Sequence, residues 1–152
     1  MQVSEAMCSQ VKIATPGQSI RDAARMMAQI DAGVLPVGEN DRLAGMITDR
    51  DIAVRAVAAG KGPDTPIREI MSKEVKYCFE DDDIDEVAFE MAELKVRRMP
   101  VLNHEKRLVG IVSLGDIARS EAIDTAGTAL SDISEPGGEH CQSHDGSSAR
   151  NA

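Results

Sequence analysis

Two stretches of this chain place a hydroxyl and a carboxylate where they could hold a sugar phosphate: Gly45-Met46-Ile47-Thr48-Asp49-Arg50-Asp51 and Gly110-Ile111-Val112-Ser113-Leu114-Gly115-Asp116. Each reads as a short apolar strand that ends in Thr or Ser and turns into a helix carrying an acid three residues after the hydroxyl. A helix start offers unpaired backbone N–H groups and partial positive charge to an anion. The hydroxyl adds a donor, and the carboxylate can accept from two ribose hydroxyls. Ser or Thr followed three residues later by an acid is also the ordinary way to cap a helix, so one copy would say little. Two copies in register say more.

The elements that must position these residues are duplicated as well. Laid on itself, the sequence pairs Val3 to Met7 with Ile67 to Met71, Ile20 with Ile84, Ala24 with Ala88, Met27 with Met91 and Pro36 with Pro100. A one-residue slip between Pro36 and Gly45, where a polar turn can absorb it, then brings Gly45 onto Gly110, Thr48 onto Ser113 and Asp51 onto Asp116. Each copy reads as β-α-β-β-α. Strands are expected at 11–15 and 75–79. Helices follow, opened by Ser19 with Asp22 and by Asp83 with Glu86. Strands are expected again at 34–37 and 99–102 and at 43–48 and 108–113, then helices at 50–59 and 115–123. Ile20, Ala23, Ala24, Met27 and Ile30 recur at helical spacing, as do Ile84, Val87, Ala88, Met91 and Leu94, so these methionines belong to a core. Gly60 reads as a C-terminal helix cap, and Pro66 fits the first turn of a short helix. The expected organisation is repeat 1 over 3–60, a linker over 61–66, repeat 2 over 67–124 and a polar, disordered tail over 125–152.

Composition narrows the functions. The chain has 152 residues, a net charge of −9, no Trp, one Tyr and two Phe. A basic footprint for nucleic acid and stacking platforms for single strands are both missing. Cys8, Cys78 and Cys141 form no ligand cluster. No apolar segment approaches the roughly 20 residues of a membrane span, so the expectation is a cytoplasmic protein with free thiols. No His stands beside a nucleophile as a general base, and there is no phosphate-binding loop ending in Lys-Ser/Thr. Asp81-Asp82-Asp83 precedes a helix and reads as capping rather than as a metal site. His140, Cys141 and His144 lack the second half that a zinc site needs. The expectation is no catalytic residues, no catalytic cofactor and no metal.

A β-α-β-β-α unit with an apolar-Pro-apolar strand and Gly-x-x-Ser/Thr-x-x-Asp, present twice, resembles the cystathionine-β-synthase-type (CBS) domain paired as a Bateman module. The likeness is strongest to the stand-alone bacterial kind of the mycobacterial hypoxic response protein. It is carried by Asp41-Arg42-Leu43, Thr48-Asp49-Arg50-Asp51-Ile52, Val96-Arg97-Arg98-Met99-Pro100-Val101 and Arg107-Leu108-Val109-Gly110-Ile111-Val112. The resemblance implies an α/β (α+β) fold with pseudo-two-fold packing of the repeats. It further implies AMP, ADP, ATP, NAD or S-adenosylmethionine bound in clefts between the repeats, and a homodimer. Carried over by residue, Asp51 and Asp116 would hold ribose, and Thr48 and Ser113 the ribose and phosphate, with Arg98, Arg97 and Arg50 on phosphate. Adenine would lie against Ile13 to Thr15 with Val34, Leu35, Pro36 and Val37, or against Tyr77 to Phe79 with Arg98, Met99, Pro100 and Val101. Gly33 and Val34 stand where repeat 2 has Arg97 and Arg98, so the two sites should differ in charge. The expected role is an energy-sensing regulatory module signalling through an oligomer or a separate, unidentified protein. The alternatives are a docking scaffold that binds no ligand and a nucleotide-processing enzyme.

Overall fold

The computed structural model describes residues 1–120 and 123–135 and shows a mixed fold of helices and strands. His140, Cys141 and His144 lie outside the described residues. Cα proximity divides the chain into two compact units. The first holds Gln10–Tyr77 and Leu102–Val109; the second holds Met1–Ser9, Cys78–Val101 and, of the described residues, 110–120 and 123–135.

In the first unit, Ser19 opens helix α2 (Ile20–Ile30; α1 is the short turn Val3–Ala6) with the expected reciprocal cap. The Ser19 hydroxyl accepts from the Asp22 N–H at 3.1 Å and the Asp22 carboxylate accepts from the Ser19 N–H at 3.3 Å. Strands β1 (Val34–Glu39) and β2 (Arg42–Thr48) pair antiparallel, with Val34 opposite Thr48 and Glu39 opposite Arg42. Asn40 and Asp41 make the two-residue turn, both with positive φ (54° and 63°), the backbone twist that suits a tight hairpin. The corresponding turn in the second repeat, 103–107, is longer and is closed by the Asn103 carboxamide oxygen accepting from the N–H groups of Glu105 and Arg107. This is where the one-residue slip is absorbed. Ala14, Ile20, Ala23, Leu35, Val37, Ile47, Ala56, Ile67 and Ile70 form the core.

Strands β3 (Cys78–Phe79), β4 (Arg98–Leu102) and β5 (Leu108–Ser113) form a sheet in that order and belong to the second unit except for Leu102, Leu108 and Val109. Helices α4 (Ile84–Leu94), α5 (Leu114–Arg119) and α6 (Ile123–Ile133) complete the unit. Val3, Ile84, Val87, Met91, Met99, Val101, Val112 and Ile117 are buried there.

Four sequence expectations need correction. Residues 11–15 form no strand: Ala14 alone bridges to Val37, because Pro16 lacks an N–H and the Gln18 side chain takes the N–H of Thr15. Only Cys78–Phe79 of 75–79 is a strand, since the Asp82 carboxylate accepts from the Phe79 N–H at 2.8 Å and turns the chain. The helix expected over 50–59 is α-helical only at α3 (Asp49–Asp51) and continues over Ile52–Val57 as a π-helix; α5 stops at Arg119. The tail does not begin at Thr125, because α6 occupies Ile123–Ile133 and buries Ala126, Ala129 and Ile133, an i, i+3, i+7 stripe. No helix among the described residues is long and apolar enough to cross a membrane.

Neither unit is continuous in sequence: Leu102–Val109 joins Gln10–Tyr77 in the first, and the lead-in Met1–Ser9 joins the second. In the second unit, Val3 N–H donates to Asp82 C=O, and Cys8 and Ile111 exchange backbone hydrogen bonds at 2.9 and 3.0 Å. In the first, Ile67 N–H donates to Gln18 C=O, and Ser72 and Met46 exchange bonds at 2.9 and 3.0 Å. Both crossings run over a glycine. A Cβ on Gly45 would lie 2.4 Å from the Ser72 carbonyl oxygen, and one on Gly110 would lie 2.7 Å from that of Cys8.

Two outcomes follow. Gly45→Ala and Gly110→Ala should each lower unfolding free energy by about 1–3 kcal/mol, because backbone must shift to admit the methyl group. Gly127→Ala, in open space on α6, should raise it by about 0.5–1 kcal/mol; chemical denaturation of the three variants checks the contrast. Cys78 is the second case: burial, aided by Asp82 and Glu90, pushes its thiol up from 9.0 to about 12. Above 9.0 the unfolded chain has lost a proton that the folded chain keeps. The Cys78 contribution to stability should therefore be flat below pH 9.0 and be lost as pH rises toward about 12. The difference between the wild-type and Cys78→Ala stability curves measures it, and a difference independent of pH would refute it.

Candidate functional site

In the first unit, β2 ends at Thr48 with extended backbone (φ −119°, ψ 161°) and the chain turns into α3. The Thr48 hydroxyl accepts from the Asp51 N–H at 3.0 Å, and Asp51 Oδ2 accepts from the Thr48 N–H at 3.0 Å. This reciprocal bracket fixes the carboxylate rotamer. It also leaves two groups for another partner: the Thr48 hydroxyl proton, which the bracket does not use, and Asp51 Oδ1. Oδ1 lies 3.7 Å from Arg55 Nε, on an aspartate whose side chain is only 15% exposed.

The second unit repeats this geometry. Ser113 Oγ accepts from the Asp116 N–H at 3.0 Å, and Asp116 Oδ2 accepts from the Ser113 N–H at 2.9 Å. Asp116 Oδ1 accepts from Arg119 Nη2 at 2.7 Å, and the Asp116 side chain is 14% exposed. The arginines at i+4 and i+3 were not foreseen, although Asp51-x-x-x-Arg55 and Asp116-x-x-Arg119 are standard helical ion-pair spacings. Carboxylate oxygens carry two lone pairs each, so Oδ1 can accept from both an arginine and a ribose hydroxyl.

The segments expected around adenine divide as follows. Ala14 is fully engaged: its N–H donates to Pro36 C=O at 3.0 Å, and its C=O accepts from Gly38 N–H at 2.8 Å. Thr15 is occupied by Gln18, which takes its N–H through the side chain and donates to its C=O through the backbone. Ile13 has neither its N–H nor its C=O bonded among the described residues, so a backbone donor and acceptor remain there beside the Ala14–Val37 bridge. Leu35 and Met99 are fully buried, and Pro36, Val37, Pro100 and Val101 are buried too. Their side chains therefore serve the core, and only backbone groups of these residues can face a ligand. Val34 is partly buried. Phe79 lies in the second unit and Tyr77 in the first.

The charged residues differ between the copies more than the sequence comparison conveyed. Arg97 and Arg98 are exposed, and Arg97 C=O accepts from the Leu114 N–H at 2.8 Å. In the first unit Gly33 C=O likewise accepts from the Asp49 N–H at 2.9 Å, so Gly33 matches Arg97 and Asp49 matches Leu114. A Cβ on Gly33 would lie 2.6 Å from Asp49 Oδ2. One copy thus presents arginines where the other presents an acid, with exposed Arg50 alongside, its N–H donating to Asp49 Oδ1 at 2.8 Å. Among the described residues no three His, Cys, Asp or Glu side chains group to hold a metal ion.

A family model described as "CBS domain" matches residues 3–57 and 67–122. The CBS domain-containing protein YhcV of Bacillus subtilis is 40% identical over 133 residues, covering 87% of this chain and 94% of that protein. Hypoxic response protein 1 of Mycobacterium tuberculosis is 43% identical over 104 residues, covering 67% of this chain and 72% of that protein. The crystal structure of Hypoxic Response Protein I with two coordinated zinc ions matches with a TM-score of 0.72 and 38% identity, covering 78% of this chain and 98% of that one. The CBS domain pair of protein MJ0100, solved with 5'-methylthioadenosine and S-adenosyl-L-methionine, matches with a TM-score of 0.71 and 32% identity, over 78% of this chain and 98% of that one. With the strand-hydroxyl-helix-carboxylate unit present twice and both copies matched, this chain belongs to the CBS domain family as a tandem pair.

Proposed function

We propose that this protein is a non-catalytic regulatory module that binds an adenosine-containing ligand through its two hydroxyl–carboxylate brackets. The observation that carries the reading is the bracket itself. In both copies the cap fixes one carboxylate oxygen and leaves the other, with the hydroxyl proton, for a vicinal diol. The unused N–H and C=O of Ile13 add a donor and an acceptor, which suit the ring nitrogen and amino group of adenine. The MJ0100 pair, crystallised with two adenosyl compounds, supports an adenosyl ligand here.

AMP, ADP, ATP and NAD are the candidates, with Arg98 and Arg97 taking phosphate at the second copy and Arg50 at the first. Guanidinium meets phosphate through a bidentate fork. Asp49 beside Gly33 opposes a phosphate at the first copy, so the copies should prefer ligands of different charge. The chain acts as an isologous homodimer and signals to a separate protein. A ligand achieves this only to the extent that its affinity differs between two states of the module.

A melting experiment with AMP, ADP, ATP, NAD, S-adenosylmethionine and 5'-methylthioadenosine tests the proposal. A true ligand at a hundredfold excess over its dissociation constant stabilises by about 2.7 kcal/mol. A melting curve unmoved by all six sinks the reading, and turnover of any of them by pure protein sinks the non-catalytic part. Asp51→Ala and Asp116→Ala should each cost about 1 kcal/mol of stability through the lost cap, and each should abolish a different binding event. Arg98→Ala should weaken AMP and ATP while leaving uncharged 5'-methylthioadenosine unaffected; equal loss of all three would show that Arg98 holds the fold rather than the phosphate.

A further inference from the structure

A cavity of about 320 Å³ opens in the first unit, away from the hydroxyl–carboxylate brackets in its lining: none of Thr48, Asp51, Ser113 or Asp116 contributes to it. Its walls are mixed, with Leu43, Ala44, Val75 and Leu102 supplying the apolar part. Three basic side chains, Arg42, Lys73 and Lys106, stand around it together with the ring of Tyr77. Lys106 Nζ lies 6.0 Å from the Tyr77 ring centroid, and the Lys106 backbone is held left-handed (φ 61°) by the turn.

The charge balance around this cavity is unusual for so acidic a chain. Of the acids at these turns, Asp41 and Glu105 both lie near Arg107, at 3.3 and 3.9 Å, and Glu39 stands opposite Arg42 across the hairpin. Arg42 donates only to a backbone carbonyl, that of Glu105, at 3.3 Å. Arg42, Lys73 and Lys106 form no ion pair among the described residues. Three like charges around one concavity repel each other, and a multivalent anion relieves that repulsion. A monocarboxylate would neutralise one of the three. A phosphorylated compound with at least two negative charges matches the set, its carbon body lying on the leucines and the tyrosine ring. The volume is at the lower end of small-molecule pockets.

We infer that this cavity is a second anion site, taking a small organic di- or polyphosphate through Arg42, Lys73 and Lys106. It is independent of the brackets and does not rest on the function proposed above. Tyr77 is the chain's single tyrosine and there is no tryptophan, so intrinsic emission reports this cavity directly. The probe is inorganic pyrophosphate, which absorbs no light in this range, added to the full chain and to an Asp51→Ala/Asp116→Ala variant. Saturable change in tyrosine emission is expected in both, weakened at least about tenfold by Lys73→Gln and by Lys106→Gln, since a hydrogen bond between charged groups is lost. Both substitutions are on exposed side chains, and far-ultraviolet circular dichroism verifies that the variants fold. Emission that does not respond up to millimolar pyrophosphate, or glutamine variants that titrate like the wild type, overturns the inference. An effect that vanishes in the double aspartate variant overturns it as well, assigning the anion to the brackets.

Discussion

The fold depends on two places where backbone passes over backbone with no room for a side chain. At Gly45 the strand β2 meets Ser72, and at Gly110 the strand β5 meets Cys8; each crossing is sealed by a pair of backbone hydrogen bonds. A sulfur lies beside each crossing, Met71 at Gly45 and Met7 at Gly110, filling what a side chain would otherwise occupy. The crossing determines which segment completes which core. Ile67 and Ile70 fill the core beside Leu35 and Ile47, while Val3 is buried in the other unit. The strand that makes the crossing is also the strand that ends in the bracket hydroxyl. Anchoring its middle therefore fixes the direction in which Thr48 or Ser113 leaves the sheet.

That link explains why a capping box can be a binding element without changing its geometry. Rotamer freedom is the usual cost of holding a carboxylate ready for a ligand. Here the backbone N–H of Thr48 or Ser113 has already fixed it as part of folding. The second oxygen meets an arginine one turn on, Arg55 or Arg119, so its charge is balanced in the absence of ligand while the arginine remains largely in solvent. An ion pair whose cation stays largely in solvent contributes little to stability.

Much of this was legible in the sequence. The duplication, the hairpins, the Ser19 cap and both brackets rest on local rules of spacing and capping, which act within a few residues and hold whatever the tertiary context. What was not legible depends on distant partners. Ala14 became a bridge rather than a strand because Pro36 and Gly38 receive it while Pro16 ends it. Helix α6 was read as tail because alanine is a weak signal of burial: Ala126 and Ala129 become core residues only once α4 and α5 supply the surface they cover. The docking of the lead-in segments was also hidden, since Gly45 and Gly110 advertise close approach without naming what approaches. Of the residues expected around adenine, Leu35 and Met99 lie in strands buried along nearly their whole length, so no alternation separated core from ligand-facing side chains, and the freedom of Ile13 was not readable either.

The inequality of the two copies is one of side-chain charge at a shared backbone junction. At Gly33 the Asp49 carboxylate stands within 2.6 Å of where a Cβ would be. An arginine at position 33 would have to displace that acid first. At the equivalent place in the second repeat, Leu114 leaves Arg97 its side chain, and the backbone bond from Leu114 N–H to Arg97 C=O keeps the same strand-to-helix junction. Glycine with aspartate and arginine with leucine are thus two charge patterns at one strand-to-helix junction. Each carries its own sign of charge to the entrance of an otherwise equal bracket. The Asp49 carboxylate is the end of an exposed, flexible side chain, so an arginine at 33 would move it aside and pair with it, and removing Asp49 would take the acid from the first copy. The duplicated module therefore keeps two chemically distinct positions through these residue pairs, which separates the ligand preferences of two sites while their ribose-facing groups stay the same.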